Sequence, residues 1–149
     1  MSQEYWRDYW QRYDVDRLMV YRNSAWTWSV RPVQASLGAG VLSLNRFAAA
    51  YADVTSAEFA ELADLLSAVE HTLKAVFDYT RVNYVSMMHH DHLVHLHCLP
   101  RYESPRSFGG REWRDATWPN PVNLGANREL STPAVLDSLA EELRGKLRQ

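Results

Sequence analysis

The sequence predicts an α+β protein built on an antiparallel sheet. Three observations carry that prediction. Stretches rich in β-branched and aromatic residues occupy 17–22, 26–34 and 41–47. One long amphipathic pattern follows, from Phe59 to Val76. Two more strand-like stretches, 82–88 and 93–100, come after it, and a last helix closes the chain. The order is β-β-β-α-β-β plus a terminal helix.

Each element has a local reason. Tyr5, Trp6, Tyr9, Trp10 and Tyr13 recur at helical spacing, so 4–13 reads as a short helix with an aromatic face, packed on the body or on a partner subunit. Residues 37–40, LGAG, read as the turn between the second and third strands. Thr55-Ser-Ala-Glu58 is a capping box: the threonine hydroxyl accepts from a backbone N–H one turn in, and the glutamate reaches back. Behind it Phe59, Leu62, Leu66, Val69, Leu73 and Val76 form one apolar stripe to cover the sheet. HHDH reads as a turn, and 103–131 as an extended loop containing WPNPVNLG. Ser131 or Thr132 caps the last helix, with Pro133 at its first position and Val135, Leu136, Leu139, Leu143 and Leu147 on its buried side. The reading is one domain over 1–149, with a core of about 17–125 and a terminal helix of about 132–148.

Bulk composition narrows the function. The chain has 149 residues, 46% hydrophobic and 23% charged, which suits a folded domain rather than disorder. A formal net charge of −2 argues against broad nucleic-acid binding. Cys98 is the single cysteine, so there is no intrachain disulfide framework. No apolar run reaches the ~18 residues of a membrane helix, and MSQEYWRDYW lacks the apolar region of a secretory signal. A cytoplasmic soluble domain is the expectation.

The chemistry concentrates in MMHHDHLVHLHCLPRY, residues 87–102, which holds five of the six histidines: His89, His90, His92, His95 and His97. In a strand, residues two apart share a face, so Leu93, His95, His97 and Leu99 point one way and Val94, Leu96 and Cys98 point to the core. Paired imidazoles suit group transfer, one attacking a centre while the next grips its oxygens. A metal reading competes: His89, His90 or His92 could join His95 and His97 around zinc, although the spacing matches no zinc signature. Surface decoration is the third reading. Among other candidates, Arg101 could reach a phosphate with its fork of donors or form a salt bridge. Trp113 and Trp118 could line a cleft or pack, Asp115 could be a base or a solvated acid, and Cys98 reads as inward-facing and inert.

LVHLHCLPRY resembles the signature of the histidine triad (HIT) superfamily, in which three histidines alternate with apolar residues along a strand. NYVSMMHHDHLVHLHCLPRY, SPRSFGGREWRDATWPNPVNL and RPVQASLGAGVLSLNRF extend the likeness to the branch with diadenosine polyphosphate hydrolases, over roughly residues 26–125. The resemblance implies a HIT-like fold: an antiparallel five-stranded sheet with a long helix, commonly as a homodimer with joined sheets. It implies a nucleotide hydrolase or nucleotidyl transferase, acting at the α-phosphorus of dinucleoside polyphosphates or nucleoside phosphoramidates through a nucleotidyl-histidine. His95 falls on the nucleophile and His97 on the phosphate contact. Asn83, His89, His90, His92 and Arg101 are the remaining candidates for the nucleotide and phosphate. No resident cofactor or metal is implied, only Mg²⁺ accompanying a polyphosphate; no membrane or nucleic-acid partner is expected.

Two positions depart from the pattern. Leu93 occupies the first triad position, and leucine neither donates nor accepts a hydrogen bond. Phe47 stands where the branch reads Arg-His, although Arg46 is kept. His92 is one residue from the first position, which puts it on the opposite face of a regular strand unless a bulge brings it round. These departures define the alternative, a catalytically weak or inactive nucleotide-binding protein. The base is expected in an apolar cleft from the early strands.

Overall fold

The computed structural model describes residues 2–126 and 131–149. Its elements are α1 (Ser2–Arg12), α2 (Val15–Leu18), β1 (Met19–Arg22), β2 (Trp26–Val30), β3 (Gly40–Leu44), α3 (Ser56–Phe77), β4 (Arg81–Val85), β5 (His95–Arg101), β6 (Arg106–Phe108), β7 (Arg111–Trp113) and α4 (Pro133–Leu147). Five strands form one antiparallel sheet in the order β1-β2-β3-β5-β4. The α+β class and the β-β-β-α-β-β order read from the sequence are those of the structure.

Strand periodicity divides this sheet into two chemically distinct faces. Trp26, Trp28, Val30, Leu42, Leu44 and Cys98 pack with Leu65, Val69 and Leu73 of α3 and Leu139 and Leu143 of α4, forming the main core. On the opposite face, register pairs Ser43 with His95 and Val41 with His97. A smaller cluster of Tyr9, Val41 and Leu93 covers part of that face, with Tyr5, Tyr13 and Phe47 against it.

The capping box forms as expected: Thr55 Oγ1 accepts from the Glu58 amide at 3.1 Å, and Glu58 accepts from the Thr55 amide at 2.9 Å. Thr132 caps α4 with Pro133 at its start. Elsewhere the boundaries shift. Residues 17–18 belong to the helical turn α2, which Asp14 enters with a left-handed backbone, φ 51°. β2 ends at Val30, and Pro32, with no N–H to donate, lies in the loop beyond. Strand structure is also absent at 45–47, 86–88 and 93–94.

Phe59 is 42% exposed, so the buried stripe of α3 starts at Leu62 and includes Leu65, a position the three-and-four spacing passed over. The segment 103–131 is not wholly a loop. β6 and β7 make a hairpin across Gly109 and Gly110, whose φ values of 63° and 76° are those of the tight mirror-image turn that matches strand twist. Residues 127–130 of that segment lie outside the described residues.

Candidate functional site

The two motif histidines stand side by side on β5. Their ring centroids are 5.0 Å apart with planes at 87°. Alternation alone puts both on the face opposite the main core, as the sequence predicts. Their surroundings then diverge.

His95 has no exposed surface. Its Nδ1 lies 2.8 Å from the Leu93 carbonyl oxygen. A carbonyl only accepts, so Nδ1 carries the proton and Nε2 keeps the lone pair. The main chain therefore orients this ring; a side chain at position 93 is not needed for that. Nε2 is buried without a hydrogen-bond partner. Tyr9 of α1 and Tyr13 of the turn after it pack against the imidazole, their ring centroids 5.3 and 6.3 Å from its own. Burial lowers the pKa of His95 below its ordinary value, against the hydrogen bond to Leu93 and the field of Asp91.

Six hydrogen bonds tie α1 and the turn after it to β3 and the histidine turn. The Tyr9 hydroxyl meets Ser43 Oγ at 2.8 Å, and Trp6 donates to the Leu44 carbonyl at 3.2 Å. The Tyr5 hydroxyl donates to the His90 carbonyl at 2.9 Å and accepts from the His92 amide at 3.0 Å. Asp91 accepts from Arg12 at 2.7 Å and from the Tyr13 hydroxyl at 3.1 Å. Burial works against the charge of Asp91, but the bonds from Arg12 and Tyr13 outweigh it and keep the pKa below the ordinary carboxylate value.

His97 borders an open cleft of about 640 Å³ that also contains Arg31, His89, His90, Asp91 and Tyr13. Its Nδ1 accepts from Arg31 Nε at 3.2 Å. The neutral ring must then carry its proton on Nε2, the reverse of His95. Burial, reinforced by the Arg31 charge, pushes the pKa of His97 down to about 3. The cleft continues into an apolar hollow of about 340 Å³ between Val85, Leu99, Pro121 and Val122, with Asn83 at its edge. Met87, Val122 and Leu124 border both parts. β2 and β3 are buried along their whole length, so of the early segment 26–34 the cleft receives Arg31 and Val33, just beyond β2, and among the described residues its apolar wall comes from β4, β5 and residues 119–124.

The other candidates scatter. His89 and His90, with rings 4.4 Å apart, reach the His97 cleft. His92 does not. Its ring nitrogen meets the His89 carbonyl at 2.9 Å, its ring stacks on Tyr5 at 6.2 Å, and it opens on a separate hollow beside Phe47. No bulge brings it to the first triad position, which Leu93 fills, buried against Tyr9 and Val41. Among the described residues, no three His, Cys, Asp or Glu side chains converge on a point suitable for a metal.

Arg101 faces inward. It makes a two-pronged ion pair with Asp115, at 2.7 and 3.2 Å, and donates to the Asn120 carbonyl at 2.6 Å. Both side chains of the pair are nearly inaccessible, so of the two roles the sequence offers Arg101 the salt bridge is the one formed, joining β5 to the following loop, and Arg101 also borders the apolar hollow. Asp115 is correspondingly a buried ion-pair partner rather than a solvated acid. Asn83 Oδ1 lies 3.4 Å from the same guanidinium. Trp113 packs edge-on against Tyr102, and Trp118 lies under the Arg101 guanidinium at 5.7 Å. Cys98 is buried in the core, and burial raises its pKa.

Sequence reasoning missed three residues that shape the site: Arg31, Asp91 and Tyr13. Arg31 and His97 are separated by 66 positions, and only the order β2-β3-β5 carries one to the other. The available signal was an arginine where a strand meets a proline, on the same side of the chain as the histidine strand.

Comparison with known proteins follows this geometry. No protein-family model matches the sequence, and no curated protein does. Solved structures do match. A histidine triad protein from Bradyrhizobium japonicum superposes with a TM-score of 0.67 at 18% identity, covering 90% of this chain and 94% of that one. A hypothetical histidine triad nucleotide-binding protein from Sulfolobus tokodaii gives 0.64 at 15% identity, over 88% and 83%. A uridylyltransferase gives 0.57 at 15% identity, over 97% of this chain and 49% of that one. The chain has the histidine-triad-like fold.

Proposed function

We propose that the protein binds a nucleotide along the open face of β5 and acts on its α-phosphorus through His95. The divided cleft carries this reading. A half lined by Arg31, His89, His90 and His97 adjoins an apolar half at Val85, Leu99 and Val122. A nucleotide has the same division. Its base would lie on the apolar wall and its phosphate beside His97, next to the His95 ring. The nucleotide-binding and uridylyltransferase neighbours support nucleotidyl chemistry on this fold.

In the chemical step, the Nε2 lone pair of His95 forms a bond to phosphorus. The bond to the leaving oxygen or nitrogen breaks; that atom keeps the electron pair and takes a proton from solvent. His97 holds a non-bridging oxygen from Nε2–H, and the field of Asp91 favours the charge that His95 gains. Water then attacks phosphorus, the N–P electrons return to Nε2, and a nucleoside monophosphate leaves. Phosphate in place of water gives the diphosphate. Nε2 is buried, with the Tyr9 and Tyr13 rings packed beside the imidazole, so a substrate reaches it only if that packing opens. That closure favours a second reading: nucleotide binding with little or no turnover.

Chromatography of products from diadenosine tetraphosphate and adenosine phosphoramidate, with calorimetry of AMP binding, tests both. Monophosphate formed by the wild type and not by His95→Ala sustains the enzyme. Binding without product leaves the second reading. No binding of either nucleotide class overturns both.

A further inference from the structure

We infer that Arg31 makes this cleft selective for phosphate-bearing ligands over uncharged nucleosides, by locking His97 as an Nε2–H donor and presenting its own Nη2 to the same anion. This rests on the part of the nucleotide reading that places a phosphate beside His97.

The guanidinium has five N–H groups. Nε donates to His97 Nδ1 at 3.2 Å, and Nη1 donates to the Val33 and Leu124 carbonyls, both at 2.8 Å. These bonds use three hydrogens and fix the plane of the group. Nη2 has no partner among the described residues, and no carboxylate there forms an ion pair with Arg31. Asp91, the acid that shares the cleft, is committed to Arg12 and Tyr13. Arg31 is only 8% exposed. Arg101, buried to a similar degree, has Asp115 as its counter-ion. A buried cation with no counter-charge among the described residues is unfavourable unless something supplies one, and Arg31 borders the cleft where a ligand would.

The contact with His97 adds a second consequence. A ring nitrogen that accepts from a guanidinium holds no proton, so the other nitrogen must hold it. His97 is thereby a donor and not a base. An incoming phosphate meets Nη2–H and Nε2–H together, one of them charged. Inorganic phosphate and a nucleoside monophosphate share that chemistry; an uncharged nucleoside lacks it.

Calorimetry with AMP and adenosine, on wild type, Arg31→Gln and Arg31→Lys, tests the ligand role. In Arg31→Gln, AMP affinity should fall by about tenfold or more while adenosine affinity changes little. Arg31→Lys should recover part of the loss, since charge returns without the fork. Nitrogen NMR of His97 tests the positioning role: Nδ1 should read as the unprotonated nitrogen in the wild type and lose that signature in both variants. Equal losses for AMP and adenosine, unchanged AMP affinity, or a wild-type His97 protonated on Nδ1 would overturn the inference.

Titration of the wild type with inorganic phosphate separates the two readings and needs no variant. A wild type that binds no nucleotide but whose His97 resonances move with phosphate loses the nucleotide reading and keeps this one. Resonances that ignore both phosphate and AMP sink this inference even where nucleotide binds.

Discussion

His95 and His97 differ by two positions in the chain and by little in backbone geometry, yet they live in different environments. His95 packs against Tyr9 of α1 and Tyr13 of the turn after it, proton on Nδ1, its other nitrogen unpartnered. His97, itself only 4% exposed, borders an open cleft, proton on Nε2, beside a guanidinium. The strand makes them neighbours; elements remote in sequence make them opposites. The lesson is that a histidine motif states which side chains share a face, and the elements packed over the strand state what surrounds each one.

The largest expected effect comes from removing the cover. Tyr9→Ala deletes a fully buried ring and its bond to Ser43. It should destabilise the fold by about 3–5 kcal/mol, measured by denaturant unfolding. In the fraction still folded, peptide mapping after diethyl pyrocarbonate should find His95 modified, whereas the wild type resists. An equally unreactive His95 in the variant would mean that α1 is not its cover.

Acid should erase the contrast from the other side. Both histidines have folded pKa values below the ordinary one, so below pH 6.5 the unfolded chain binds protons that the folded chain refuses. Stability is therefore fully present above about pH 7.5 and falls as pH drops. His97, depressed to about 3, should account for about 2 kcal/mol of loss by pH 5. Arg31 and His95 push in that direction and Asp91 opposes it. His97→Gln, which offers Arg31 an acceptor that does not titrate, should remove this part of the slope. Identical slopes in variant and wild type would show that His97 titrates normally.

A smaller effect is expected at the tie between α1 and the histidine turn. Asp91→Asn leaves Arg12 half-exposed without its full counter-charge and weakens the bond from Tyr13. The loss should be about 1–2 kcal/mol, with faster amide exchange along α1. Exchange that speeds up only in the histidine turn would separate the tie from the helix. Smallest is Tyr5→Phe, which removes one hydroxyl between the His90 carbonyl and the His92 amide on the exposed side. About 0.5–1 kcal/mol is expected, seen as a modest midpoint shift with His95 still protected.

What the sequence determined by itself is whatever depends on neighbours within a few positions. The alternation in β5 set His95 and His97 on one face and Cys98 on the other. The Thr55–Glu58 box started α3, and Thr132 with Pro133 started α4. The aromatic face of α1 was readable, although not what it would cover. The β6–β7 hairpin was present in the sequence too, as Gly109-Gly110 between strand-like residues, but the surrounding prolines masked it.

Tertiary structure decided the rest, because the deciding contacts join distant segments. Arg31 reaches His97 only since β3 lies between β2 and β5. Arg101 forms its ion pair because Asp115 is buried beside it, and His92 opens on a different hollow because its turn is bonded to Tyr5. Strand periodicity says which way a side chain points. Burial, tautomer and accessibility depend on what is packed on top of it, and those partners come from elsewhere in the chain.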